Sequence, residues 1–394
     1  MILLDYPFVS DFLKETVSRN QFPVIATPEA QSIMDGYAVN WIQSEEAVKI
    51  IQENPITPVY TNSENSIAWI QKYLPDSPLM DKIRVFKNKF QFRQLVQELY
   101  PDYFFKTAQL SELENMDISQ FPFPFIIKPA VGFFSIAVHK VDRAEDWPSV
   151  VKRIQEQIQK TSALYPEEVV SQTEMILEGY ILGDEYAFDC YFDGKGQPVI
   201  LNVLHHVFKS EIDVSDRVYS SSEEIIRRLS PAIMDFLEGI GAQIDLRNFP
   251  LHIEIRETTP GKIIPIEVNP MRFGGWCTTA DLTWFAYGIN SYEYFFQSKK
   301  PDWAEVFSNR KDKQYSLILL DNQSEVPMDA IAYFDFEALA QDFENPLHVR
   351  KVNMGQFGVF GFLFTETSKG NEGELIEILH SDLTKYMVLR EFSD

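Results

Sequence analysis

Two short segments carry acidic side chains at a spacing that could bind a metal ion. In Leu251–Arg256, and again in Lys262–Asn269, apolar and polar residues alternate one by one. This period of two predicts β-strands with one apolar face and one polar face. Thr258–Gly261, which lies between them, has the threonine, proline and glycine typical of a turn. The two segments therefore predict a β-hairpin.

The polar face of this hairpin holds two glutamates. If the hairpin is symmetric about Pro260–Gly261, Glu254 lies opposite Glu267, and His252 lies opposite Asn269. Carboxylates that face each other across a ladder have Cβ atoms roughly 5 Å apart and repel each other. A cation would remove that repulsion, and these oxygen ligands suit Mg²⁺ bridged to phosphates. The alternative is an ordinary solvated face, and the hairpin alone does not decide between the two.

A lysine at the end of an apolar strand is a second chemical feature. The segment from Phe123 to Lys128 predicts a strand in which the lysine faces the same way as Ile126. Lysine is rarely buried without a partner, and a phosphate is one good partner. The short turn Val131–Ser135 and a second strand, Ile136–Val141, follow. Backbone N–H groups in such a turn can meet phosphate oxygens.

Two arginines are candidates for contact with an anionic substrate. Arg272 precedes Gly274 and Gly275, which let the backbone come close to a ligand, and its guanidinium can pair with a carboxylate or phosphate. Lys209–Ser222 is polar and is predicted to be a loop. It could close over a site, with Arg217 as a direct contact, or it could be a surface loop without that role.

The overall composition narrows the class of protein. The 394 residues carry 35 basic and 58 acidic side chains, a net charge of −23, which argues against nucleic acid or an anionic membrane as the main partner. No apolar run is long enough to span a bilayer, and the N-terminal residues do not have the pattern expected of a signal peptide. Two cysteines, Cys190 and Cys277, cannot form a disulfide framework, so a cytoplasmic location is expected.

The regions on either side of these motifs predict α/β structure. Short apolar runs alternate with helix-like segments in residues 1–80, and no glycine-rich dinucleotide fingerprint follows a strand there. From Pro301 onward the chain restarts as a compact α/β piece in which we identify no chemistry.

Taken in order, three segments resemble the ATP-grasp superfamily of carboxylate–amine ligases. They are Ile126–Pro129, Leu177–Glu185 and Glu254–Pro270, and the similarity covers residues 80–300 or so. The resemblance implies an α/β (α+β) fold in which two antiparallel-sheet lobes hold ATP. It also implies a pre-ATP-grasp domain over residues 1–80, an ATP-grasp domain over 81–302 with a mobile central lobe at about 120–205, and a small C-terminal α/β subdomain over 303–394.

The same resemblance implies a role for individual residues. Lys89 and Lys128 match phosphate lysines, with Lys82 as a competing choice for the first, and Arg272 matches a substrate-binding arginine. The other positions share contact with nucleotide or metal: Glu178 and Ile181 for adenine, Glu185 for ribose, Ser135 for phosphate, and Glu254, Glu267 and Asn269 for the metal. The phosphate loop departs from the glycine- and serine-rich pattern of the superfamily, because it holds Phe133 and Phe134.

The activity implied is that of a ligase that uses ATP and one or two Mg²⁺ ions, with Mn²⁺ as an alternative. It would phosphorylate a small carboxylate, with an amino acid as the default, and an amine would displace the phosphate. A small-molecule kinase and a non-catalytic nucleotide-binding module are the two other hypotheses. The sequence names neither the acid nor the amine and leaves open whether the chain forms a homodimer.

Overall fold

A computed structural model describes residues 1–131, 137–162, 174–210 and 215–390 of the chain. Within these ranges, none of the helices has the length and apolar character needed to cross a bilayer. Both cysteines are buried and free. The described residues build one parallel sheet, two antiparallel sheets and a small two-stranded sheet, with helices packed against them.

The N-terminal unit is a four-stranded parallel sheet of order β3-β2-β1-β4. Its strands are β1 (Ile2–Leu3), β2 (Val24–Ile25), β3 (Trp41–Ile42) and β4 (Tyr60–Thr61). Its helices are α1 (Asp11–Asn20), α2 (Pro28–Ile33), α3 (Ser44–Glu53) and α4 (Ile67–Tyr73). The side chains of Ser10 and Thr27 cap α1 and α2 by accepting from backbone N–H groups, which fixes where these helices begin.

The second unit is a four-stranded antiparallel sheet, called the small sheet below, of order β5-β8-β6-β7. Its elements are β5 (Phe105–Gln109), β6 (Phe125–Pro129), β7 (His139–Val141), α7 (Trp147–Ser162) and β8 (Glu174–Gly179), and α5 (Pro78–Lys87) and α6 (Lys89–Leu95) precede it. Phe125 and Ile127 pack with Trp147 and Ile154 of α7 in a separate core. Because side chains alternate along β6, Lys128 is left on the opposite face.

The third unit is an eight-stranded antiparallel sheet, called the large sheet below, of order β13-β12-β9-β10-β11-β14-β17-β16. Its strands are β9 (Asp184–Phe192), β10 (Pro198–Val207), β11 (Val218–Ser222), β12 (Phe249–Thr259), β13 (Lys262–Pro270), β14 (Lys313–Asp321), β16 (Asn345–Lys351) and β17 (Val359–Ser368). The helices α8 (Glu223–Gln243), α9 (Thr278–Tyr287) and α10 (Ser291–Phe296) follow β11 and β13.

The remaining elements lie in the last ninety residues or so of the chain. They are α11 (Trp303–Phe307), β15 (Ile331–Phe334), α12 (Phe336–Gln341), α13 (Met354–Phe357), α14 (Gly373–His380) and β18 (Met387–Leu389), with β15 and β18 paired. The expected α/β class is confirmed.

Two features of the large sheet were not expected from the sequence. Lys209–Ser222 is not a loop throughout, because Val218–Ser222 forms β11 and pairs with β10 and β14. The strands β14, β16 and β17, which follow residue 302, continue the sheet that holds the predicted hairpin. The residues after 302 therefore share a sheet with the candidate site.

A buried ion pair ties three parts of the chain together. Arg350 of β16 pairs with Asp281 of α9 and donates to the backbone oxygen of Trp276 at 2.7 Å. Ser10, from the N-terminal unit, donates to the other oxygen of Asp281 at 3.0 Å. Burial raises the pKa of Asp281 to about 6, although Arg350 and Ser10 act in the opposite direction.

We expect the variant Arg350→Met to lose roughly 3–5 kcal/mol of unfolding free energy near pH 8, because Asp281 would be buried without its cation. A carboxyl whose folded pKa is raised stabilises the fold below its unfolded pKa, and this contribution is lost as the pH rises through the folded value. In the native chain that window runs from 3.8 to about 6. Without Arg350 the folded pKa of Asp281 rises further. The carboxyl is then buried in its uncharged form at pH 5, so the loss should be smaller there than near pH 8.

Urea denaturation at the two pH values measures this difference. The double variant Asp281→Asn/Arg350→Met is the matched control, since it has no carboxylate left to titrate at this position. An equal loss for Arg350→Met at both pH values would contradict the assignment.

Candidate active site

The polar face of the hairpin β12–β13 is formed as its sequence predicts. Glu254 pairs directly with Glu267, and His252 pairs with Asn269. Two irregularities near the turn shift the register by one residue, so that Ile255 faces Pro265, and the register is restored next to the turn. The predicted juxtaposition of the two acids is confirmed.

The positive charges near the two glutamates do not offset the negative charges and burial that raise the pKa of Glu254. Burial raises the pKa of Glu254 to about 8, and the negative charges of Glu267, Glu185 and Asp216 act in the same direction against the opposing effect of Arg272. The Nζ of Lys89 lies 3.6 Å from Oε1 of Glu267. The repulsion expected between two facing carboxylates is therefore present.

This donor set fits a cation that also binds phosphate. Within the described ranges, no group of three or more His, Cys, Asp or Glu side chains is placed to hold a metal by itself. Glu254, Glu267 and Asn269 offer two carboxylates and one amide oxygen, and Mg²⁺ commonly takes one or two carboxylates and completes its shell with water and substrate phosphates.

The opposite wall of the site comes from the small sheet and holds an acid between two cations. Glu178 accepts from Nε of Arg93 at 2.6 Å and lies 2.5 Å from Nζ of Lys128. Burial raises the pKa of Glu178, but Arg93 and Lys128 together outweigh it and lower the pKa to about 2. Arg93 also donates to the backbone oxygen of Pro265 in β13 at 2.6 Å, which links the small sheet to the large sheet.

The partner of Lys128 is thus a carboxylate of the chain itself. Lys128 is only 7% exposed, as expected for a lysine that needs a counter-charge. The buried Arg93 was not predicted. Its signal in the sequence is an arginine among the apolar residues of the helix-like segment that begins after Lys89.

The two candidates for the first lysine lie in different surroundings. Its backbone N–H donates to the oxygen of Ala130 at 2.8 Å, which places α6 beside the end of β6. Burial lowers the pKa of Lys89, Glu267 opposes this and Lys128 adds to it. The charges that act on Lys82 come instead from Asp245 and Arg247. The structure therefore brings Lys89, and not Lys82, to the acidic hairpin.

Glu185 and Ile181 are joined by an arginine that the sequence did not single out. Arg256 donates to Oε2 of Glu185 at 3.0 Å and to the backbone oxygen of Ile181 at 2.6 Å. His206 lies 3.0 Å from the other oxygen of Glu185. Burial raises the pKa of Glu185, but His206 and Arg256 outweigh it, so the pKa is lowered and the residue is held as a carboxylate.

A cavity of about 390 Å³ adjoins the acidic hairpin. Its polar lining consists of Asp216, Tyr219, His252, Glu254, Asn269, Arg272, Thr278 and Thr279. Behind His252, the buried Asp189 lies 2.8 Å from Nδ1 and also accepts from the Gly274 N–H at 3.0 Å. Asp189 thus fixes the histidine ring and the turn that follows β13, a role that was not predicted.

The two predicted arginines differ in where they lie. Arg272 lines the cavity, donates to the backbone oxygen of Phe273 at 3.0 Å and lies 3.5 Å from Glu64. Arg217 is 0% exposed, pairs with Asp321 at 2.8 Å and is not among the described residues that line the cavity. It immediately precedes β11, and its predicted direct contact with substrate stays a prediction that this ion pair does not support. Ser135 lies outside the described residues.

The apolar lining of the cavity was missed altogether. It consists of Trp276, Leu317, Leu319, Phe357, Val359 and Phe362, and all but Trp276 come from the residues after 302 in which no chemistry was identified. Apolar residues in strands are ordinarily core, so neither their type nor their spacing marks a binding wall.

Comparison with known proteins agrees with this architecture. Residues 121–280 match the family model of the ATP-grasp domain. The fold is similar to that of an L-amino acid ligase from Bacillus licheniformis, with 17% identity, a TM-score of 0.69, and coverage of 100% of this chain and 98% of that chain. It is also similar to N5-carboxyaminoimidazole ribonucleotide synthetase from Thermotoga maritima, with 14% identity, a TM-score of 0.63, and coverage of 98% and 97%.

A biotin carboxylase from Campylobacter jejuni is similar at 11% identity and a TM-score of 0.61, with coverage of 94% of this chain and 88% of that chain. No curated protein sequence gives a significant match. At these identities the solved structures establish the fold alone. The expected ATP-grasp resemblance and fold are confirmed.

We expect the two cations around Glu178 to differ in what they stabilise. Arg93→Met removes bonds to both Glu178 and Pro265 and should cost roughly 3–5 kcal/mol of unfolding free energy. Lys128→Met leaves Glu178 paired with Arg93 and should cost roughly 1.5–3 kcal/mol. Urea denaturation measures both, and the exposed Lys106→Met in β5 is the control, expected within about 0.5 kcal/mol of the native chain. Equal losses for Arg93→Met and Lys128→Met would contradict this assignment.

Proposed function

The chain belongs to the ATP-grasp superfamily through the domain at residues 121–280, and we propose that it is an ATP- and Mg²⁺-dependent ligase that joins a small carboxylate to an amine. One observation carries this proposal. Two facing acids, Glu254 and Glu267, lie beside Lys89 and next to a cavity that holds Arg272. Such a site can accept phosphates with a cation and an anionic substrate beside them.

The proposed donor is an amino acid or a similar small acid. The likeness of fold to an L-amino acid ligase supports this choice, and the cavity has room for such a molecule next to the acidic hairpin. The buried free thiols of Cys190 and Cys277 suit a reducing compartment, so we propose a cytoplasmic enzyme.

The residues divide into nucleotide and metal contacts. Lys89 and Lys128 would contact the phosphates of ATP, Glu178 and Ile181 would lie at the adenine, and Glu185 would accept from the ribose hydroxyls. Ser135 is proposed as a further phosphate contact. Glu254, Glu267 and Asn269 would hold one or two Mg²⁺ ions, which when bound would offset the negative charge of the phosphate oxygens.

The reaction proposed has two steps. A carboxylate oxygen of the donor attacks the γ-phosphorus of ATP, the bond to ADP breaks, and an acyl phosphate forms. The amine nitrogen then attacks the acyl carbon, phosphate leaves with the former carboxylate oxygen, and the nitrogen loses a proton to give an amide. Arg272 would orient the carboxylate, while the lysines would stabilise charge on the transferred phosphoryl group.

The metal assignment predicts the effect of removing one acid. Glu267→Gln keeps the size of the side chain but removes its charge, so Mg²⁺-dependent release of ADP should fall by about 100-fold or more in kcat/KM. A coupled ADP assay across a Mg²⁺ titration measures it. Glu238→Gln, at an exposed position on α8, is the matched control. Turnover at the native level by folded Glu267→Gln would exclude this residue as a metal ligand.

The intermediate predicts a chemical trap. Hydroxylamine added to the enzyme, ATP, Mg²⁺ and a panel of amino acids should give a hydroxamate with the true donor, and ADP release should depend on that donor. Arg272→Ala should raise the donor's KM roughly 10- to 150-fold, because it removes a charge-assisted partner worth about 1.5–3 kcal/mol. Reactions without ATP or without donor are the controls. A stable phosphorylated product that neither amine nor hydroxylamine consumes would make the protein a kinase instead.

A further inference from the structure

One face of the large sheet changes from charged to apolar along its width. Residues paired across antiparallel strands point to the same face. Glu185 pairs with His206, His206 with Tyr219, Tyr219 with Leu317, and Leu317 with Phe364. The series therefore runs from an acid beside the hairpin to aromatic and aliphatic side chains on β14 and β17.

The cavity lies over this transition. Leu319 and Phe362 are direct partners across β14 and β17 and form part of its lining, together with Val359 at the start of β17. Phe357, at the end of α13, adds a further ring. These four residues form an apolar wall on the part of the cavity lining that lies across the sheet from the hairpin strands.

Trp276 completes the apolar wall at a cost in backbone energy. Its φ is 55°, in the left-handed region, which is disfavoured for a residue with a side chain. Its ring is held by Phe8, Phe357 and Phe362, with centroids 5.8, 4.9 and 5.8 Å away. Backbone strain that is maintained by packing in this way often accompanies a binding site.

The ionisable groups that line the cavity lie outside the apolar wall, and Arg350, the partner of Phe362 on β16, is already engaged by Asp281 and the backbone oxygen of Trp276. Among the described residues that line it, the ionisable groups are Asp216, Tyr219, His252, Glu254 and Arg272, and all of them belong to the polar lining. A charged side chain of a substrate placed against the apolar wall would be buried without a partner, which is strongly unfavourable. An aliphatic or aromatic side chain would gain from the same environment.

We propose that this apolar wall is the side-chain subsite of the carboxylate substrate, and that this substrate carries an aliphatic or aromatic side chain. The inference rests on the proposed ligase function, in which Arg272 and the hairpin fix the carboxylate end. With that end fixed in a cavity of about 390 Å³, the remainder of the donor extends toward Leu319, Val359 and Phe362. The strands after residue 302 would thus select the substrate.

The first test compares donors in the hydroxylamine assay. Glycine, alanine, leucine, phenylalanine, aspartate and lysine differ in side chain but share the same carboxylate end. Leucine or phenylalanine should exceed alanine at least tenfold in kcat/KM, since each buried methylene contributes about fourfold. Aspartate and lysine should fall below alanine. A preference for aspartate or lysine over leucine would overturn the subsite and leave the ligase proposal standing.

Variants of the apolar wall test where the selectivity arises. Val359→Trp fills the subsite, and the ratio of kcat/KM for leucine over alanine should fall at least tenfold. Leu319→Thr, which adds a hydroxyl without added bulk, is the second variant and should also lower the ratio. It provides the test if Val359→Trp fails to fold. Ile376→Ala, at a position on α14 that is 59% exposed, is the control and should leave the ratio unchanged. A ratio within twofold of native in folded wall variants would overturn the proposal.

Direct binding separates this proposal from the ligase proposal. If no carboxylate supports release of ADP or formation of a hydroxamate, the proposed function falls. Calorimetry with leucine and phenylalanine then judges the subsite alone. Binding to the native chain that is lost in Val359→Trp or Leu319→Thr would support it, and absence of binding to the native chain would overturn it.

Discussion

The electrostatic repulsion between Glu254 and Glu267 is the constraint around which this site is arranged. Their strands are paired by backbone hydrogen bonds, so the two carboxylates cannot separate without loss of the hairpin register. Burial of Glu254 and the charge of Glu267 act together, and both raise the pKa of Glu254. Lys89 approaches one acid and Arg272 acts on the other, but neither neutralises the pair. A fold that maintains such a pair is suited to a cation that arrives with its ligand.

The side of the site formed by the small sheet carries two cations, and both of them are paired with one carboxylate. Glu178 is shared by Arg93 and Lys128, and Arg93 is additionally anchored to the backbone of β13. If Lys128 turned to a phosphate, Glu178 would keep its bond to Arg93 and would not be left as an unpaired buried charge. The arrangement thus lowers the cost of moving Lys128 from a protein carboxylate to a nucleotide.

The sequence predicts well what depends on local periodicity and poorly what depends on packing between distant segments. The alternation of residues around the turn was enough to place Glu254 opposite Glu267. It could not reveal that Arg217 would pair with Asp321, about a hundred residues later. Val218–Ser222 reads as polar because it is serine-rich, and it becomes a strand only because β10 and β14 supply its hydrogen-bond partners.

The apolar wall also depends on packing between distant segments, so the local sequence pattern did not predict it. Leu317 and Leu319 alternate as any half-buried strand does, and only the order of strands in the large sheet shows that they share a face with Glu185 and His206. Because one continuous sheet carries both, the charged and apolar parts of the cavity keep a fixed distance from each other. Substitutions on β14 or β17 can then alter which side chain is accepted while the acidic hairpin on β12 and β13 stays in place, so that selectivity and phosphate chemistry are separable within a single sheet.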